Sequence, residues 1–73
     1  MHFTADELRK LEKYLSQKLK LSGVTLKKRE RAQDSIEVLM EGEFIGTIYK
    51  DTEDGETSYD LNIAILEIDL PPL

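Results

Sequence analysis

The sequence predicts an α+β domain: an N-terminal helix packed on a four-stranded antiparallel meander sheet. Three observations predict it. A capped run with helical spacing extends from Thr4 to Gly23. Four short runs follow, rich in β-branched and other apolar residues: Val24 to Arg29, Ser35 to Met40, Phe44 to Tyr49, and Tyr59 to Leu66. Two acidic glycine turns, Glu41-Gly42-Glu43 and Thr52-Glu53-Asp54-Gly55-Glu56, separate the last three. Gly supplies the positive φ that a tight reversal needs, so these read as hairpins. At 73 residues the chain is a single domain, 1–73.

The helix start is signalled several times over. Thr4 and Glu7 have the spacing of a capping box, with Phe3 and Leu8 at the ends of a hydrophobic staple. Asp6 and Glu7 put negative charge where the helix dipole favours it. Leu8, Leu11, Leu15 and Leu19 form an apolar stripe, and Arg9, Lys10, Lys13 and Lys20 lie opposite. Asp6 to Lys10 is an acid-first i,i+4 pair. Ser22-Gly23 is expected to end the helix, with Gly23 at the left-handed C′ position.

In the first strand Val24 and Leu26 face inward, and Glu30 to Asp34 read as a polar loop. The second alternates Ile36, Val38 and Met40 with Ser35, Glu37 and Leu39. Two registers are open to the next hairpin. A three-residue loop with Gly42 in a bulge sets Val38 opposite Phe44 and Ile36 opposite Gly46. A two-residue Glu41-Gly42 loop sets Val38 opposite Ile45. A one-residue slip exchanges the faces. Either way Phe44-Ile45 and Ile48-Tyr49 put apolar groups on both sides of the third strand, which predicts a central position.

In the last run Tyr59, Leu61, Ile63 and Ile65 alternate, then Leu66, Ile68 and Leu70 alternate in the opposite phase. A bulge at Ile65-Leu66 would reset the phase. A closing helix is the alternative, because Leu61, Ala64, Ile65 and Ile68 share a helical stripe. Strict period two before the shift favours a strand, and Pro71-Pro72 stops further pairing.

Composition narrows the function classes. There is no cysteine, so neither disulfides nor thiolate-metal sites are available. No run approaches the roughly 18–20 apolar residues of a membrane span. The start, Met1 to Asp6, lacks the basic-then-apolar order of a signal peptide. A soluble cytoplasmic protein is expected. The net charge of −5 conceals a split: residues 1–33 hold nine Lys or Arg against four acids, and residues 34–73 one Lys against eleven acids. The simplest arrangement sets the basic helix and first strand beside the acidic strands. A basic patch for an anion, or a charge match between subunits, are the alternatives.

Chemistry-bearing motifs are sparse. His2 is the sole histidine and sits at a terminus. No G-x-S-x-G elbow and no Gly-rich phosphate loop occur. The acidic turn Asp51 to Glu56 fails as a calcium loop: with Gly55 at position six, Lys50 falls at position one and Leu61 at twelve, so oxygen ligands are missing there. No catalytic, cofactor or metal site is expected. The run Lys27, Lys28, Arg29 and Arg31, broken by Glu30, is the candidate anion-binding patch. Net acidity and the lack of interleaved aromatics argue against nucleic acid. Helix-then-strands is also the order at the start of double-stranded-RNA-binding domains, a likeness of topology alone.

The expected function is therefore a small non-enzymatic protein-interaction module that self-associates as a dimer. Nucleic-acid or anion binding through the helix face and first strand is the alternative. One helix covers one face of a small sheet, so Leu39, Ile45, Tyr49, Leu66 and Ile68 are the candidate interface.

The chain also resembles a family of uncharacterised alphaproteobacterial proteins of about seventy residues, a domain of unknown function. The residues that carry the resemblance span nearly the whole chain. They are Leu8-Arg9-Lys10-Leu11-Glu12-Lys13-Tyr14-Leu15, Asp34-Ser35 with Glu37-Val38, Gly42-Glu43-Phe44-Ile45-Gly46, Glu53-Asp54-Gly55 with Ser58-Tyr59, and Ala64-Ile65-Leu66 with Ile68-Asp69-Leu70. The family's first hairpin carries Gly-Asp where this chain has Glu41-Gly42. The resemblance implies no activity, ligand or catalytic residue.

Overall fold

The computed structural model describes residues 3–29 and 32–73. Helix α1 (Ala5–Lys18) is followed by strands β1 (Val24–Arg29), β2 (Ala32–Met40), β3 (Glu43–Asp51) and β4 (Ser58–Ile63), then one 3₁₀ turn, Glu67–Asp69. The strands form an antiparallel sheet in the order β1-β2-β3-β4. This is the expected α+β meander, with β3 interior.

The capping box forms as read. The Glu7 amide donates to Thr4 Oγ1 at 3.1 Å, and the Thr4 amide donates to Glu7 Oε1 at 2.8 Å. Phe3 is buried, and Leu8 packs against the same cluster. Leu15 is the one helix residue fully buried, on a core of Phe3, Val24, Ile36, Val38 and Ile48. Asp6 pairs with Arg9 rather than with Lys10.

The helix ends earlier than its glycine suggests. Leu19 is the C-cap, its N–H bonded to the Leu15 carbonyl at 3.1 Å, and Lys20 takes the left-handed position with φ 55°. The reversal returns Leu21 to the core cluster and lets Val24 be buried. Leu19, expected in the buried stripe, is half exposed. Gly23 keeps a positive φ but opens β1, where its carbonyl accepts from the Glu41 amide at 2.8 Å.

Three further expectations are corrected. The polar loop over Glu30 to Asp34 gives way to strand from Ala32 onward, with Arg29 paired to Ala32 beyond an irregularity in the β1–β2 ladder; Glu30 lies outside the described residues. The β2–β3 hairpin combines features of both registers. Glu41 and Gly42, φ 52° and 85°, form a two-residue turn of the primed type, and Met40 pairs with Glu43 and Leu39 with Phe44. A bulge at Ile45 then slips the ladder by one residue, so Val38 faces Gly46 and Ile36 faces Ile48. Phe44 is thereby left exposed, while Ile45 packs against the core.

The third concerns the end of the chain. β4 stops at Ile63, opposite Gly46, next to the β3 bulge. Neither a phase-resetting bulge at Ile65-Leu66 nor a closing helix forms; only the 3₁₀ turn does. None of its Cα atoms comes within 8 Å of α1 or any strand among the described residues.

Candidate functional site

The helix lies toward one side of the sheet. Among the strands, β1 alone brings Cα atoms within 8 Å of those of α1 among the described residues. The Glu12 carboxylate fastens that side: its Oε1 accepts from the Leu26 amide at 2.9 Å. On the other side, between α1 and the β3–β4 pair, a groove of about 530 Å³ remains.

Its floor is Leu15 with Ile48 and Leu61, the pair set opposite each other by the β3–β4 ladder. Leu11, Tyr14 and Leu19 form the helix wall at the i, i+3 and i+8 spacing of one face. Tyr14 is 57 % exposed, so much of this wall faces solvent. The lining is mainly apolar, with polar groups collected toward the start of the helix.

That polar end is internally satisfied. Glu7 Oε2 accepts from the Tyr59 hydroxyl and lies 2.7 Å from Lys50 Nζ, which also sits 5.9 Å from the centre of the Phe3 ring. The Phe3 and Tyr59 rings are tilted against each other at 6.0 Å. Lys50, the Tyr59 hydroxyl and the Thr4 amide together hold the Glu7 carboxyl down at about 2. The same Glu7 carboxylate, by accepting from the phenol, pushes Tyr59 up to about 12. These groups tie the helix start to β3 and β4. Lys10 stands on the rim outside this network.

The candidate interface residues fall in three places. Leu39 and Tyr49 lie on the sheet face away from the helix, half-buried and exposed respectively. Ile45 turns to the core side. Leu66 and Ile68 are exposed in the segment after β4, 57 % and 88 %. Of the candidate anion-binding residues, Lys27 pairs with Glu37 across the ladder, Lys28 alternates to the opposite face, and the Arg29 guanidinium donates to Ser35 Oγ at 3.2 Å. Arg31 lies outside the described residues, as does His2. Sequence reasoning missed the groove, although Lys10, Leu11 and Tyr14 share one helical face with Glu7 and invite that question. Among the described residues no cluster of metal-ligating side chains occurs, and no helix is long and apolar enough to cross a membrane.

Residues 7–69 match the model of a family described as a protein of unknown function, DUF3126, and the chain belongs to that family. No curated protein and no solved structure matches.

Proposed function

We propose that this member of the DUF3126 family is a small non-enzymatic interaction module of the cytoplasm that binds a second copy of itself. The observation that carries the reading is the open apolar groove beside α1 in a molecule that also exposes large apolar side chains after β4. Exposed apolar surface of this kind is usually an interface. A small domain with few large buried side chains also gains most from a partner that covers such surface. The anion-binding alternative draws less support, because Lys27 faces an acid and Lys28 points away from it.

Size-exclusion chromatography with light scattering tests the reading. The expected mass is that of two chains. A single-chain mass maintained up to about millimolar concentration, where association carries only ~4 kcal/mol, overturns it.

A further inference from the structure

The segment after β4 and the groove beside α1 have complementary character. In the segment, Ile65 is 74 % and Ile68 88 % exposed, with Leu66 and Leu70 also exposed. None of residues 64–73 lines the groove of its own chain, and the Cα atoms of the 3₁₀ turn stay more than 8 Å from α1 and the strands among the described residues. The groove offers apolar walls and about 530 Å³ of space, within the roughly 300–1,000 Å³ typical of ligand pockets.

Charge and edge geometry agree. The segment carries Glu67 and Asp69 and no base. Lys10 stands on the groove rim, and Lys18 follows two turns later on the same side of the helix. Neither lysine is paired with an acid among the described residues. β4 is the sheet edge nearest the groove and has no strand beyond it among the described residues. The arm backbone is extended at Leu66 and at Leu70, on either side of its 3₁₀ turn, so the stretch before the turn can add backbone hydrogen bonds along that edge while the turn sets its apolar side chains against the helix wall.

We infer that residues 64–73 of one chain seat in the α1–β4 groove of a second copy, each chain giving and receiving one arm. This rests on the self-association reading above and assigns its interface. Ten arm residues and nine groove residues give about twenty a side, close to the roughly 20–30 of a stable interface.

The test uses the full chain with two sets of substitutions at exposed positions, Leu66→Asp with Ile68→Asp in the arm and Tyr14→Glu in the groove. Circular dichroism verifies that each variant remains folded. Light scattering reads the mass across concentration, and fluorescence anisotropy reads binding of a labelled synthetic peptide of residues 64–73. The expected result is a two-chain mass for the wild type, with dimerisation weakened at least about tenfold in both variants. The peptide binds the arm variant and not the Tyr14→Glu chain. A wild-type dimer whose mass persists in both variants overturns the arm exchange and leaves self-association standing. A wild type that stays a single chain at every concentration overturns both. A single-chain wild type whose groove takes the peptide only after the arm is substituted assigns the groove to the chain's own segment.

Discussion

The Tyr59 hydroxyl and the Lys50 ammonium meet on the same oxygen of Glu7, Oε2, while the other oxygen accepts from the Thr4 amide. One carboxylate thus completes the helix cap and joins it to two strands, over a separation of 52 residues in the case of Tyr59. The arrangement makes the helix start sensitive to a proton.

Acid should loosen the molecule in a defined window. The Glu7 carboxyl is lowered from its ordinary value near 4.5 to about 2. A depressed carboxylate stabilises the fold fully above the unfolded value, and that contribution is lost as pH falls through the folded one. Thermal unfolding followed by circular dichroism between pH 5 and about 2 should show a decline that is shallower in Glu7→Gln. Equal slopes would assign the decline to other acids.

Alkali acts with the opposite sign. Tyr59 is raised from 10.0 to about 12, so its neutral form contributes fully below 10 and is lost as pH rises through 12. Tyr59→Phe should remove this part of the alkaline loss. Spectrophotometric titration at the tyrosinate band should show a high-pH component that Tyr59→Phe removes.

Thr4→Ala removes the acceptor for the Glu7 amide and half of the capping box. The expected cost is ~0.5–2 kcal/mol. Urea denaturation should show a lower midpoint with an unchanged slope.

Gly46→Ala should destabilise through crowding. A Cβ at this position would stand 2.2 Å from the Asn62 carbonyl oxygen, a backbone atom that moves only with β4. Overpacking of this type costs about 1–3 kcal/mol. Hydrogen exchange should show β4 amides losing protection before those of β2.

Glu12→Ala frees the Leu26 amide from its 2.9 Å bond. A hydrogen bond to a charged acceptor contributes ~1.5–3 kcal/mol, reduced here because water reaches part of the site. Faster exchange of the Leu26 amide is the direct signature, and exchange unchanged from wild type would show that the bond adds no protection.

The parts of the fold set by local chemistry were legible. Thr4 with Glu7 marks the helix start, and period-two runs separated by Glu41-Gly42 and Asp54-Gly55 mark the meander. The parts set by distant contacts were not. Gly23 is the obvious helix terminator, but Lys20 accepts the left-handed turn because the earlier reversal returns Leu21 to the core. The Ile45 bulge leaves no mark in residue type, since Phe44 and Ile45 suit either face; it is visible only in the opposition of Val38 to Gly46. Beyond Ile63 the alternation continues in sequence, but β3 ceases to offer a ladder where its bulge begins. The groove was hidden for the same reason: it depends on where the helix sits over the sheet, which contacts distant in sequence such as Glu12 with Leu26 and Glu7 with Tyr59 hold in place.

The Glu12 clasp also bears on how far assembly can proceed. A sheet with two bare borders can add a neighbour at each and grow without limit, as fibrils do. Here neither β1 nor β4 has a further strand beside it among the described residues, but a helix side chain already occupies one outward-facing amide of β1. Strand addition at β1 has to displace this contact, and addition at β4 does not. In the self-association proposed above, that asymmetry between the two borders favours a closed pair over an open stack.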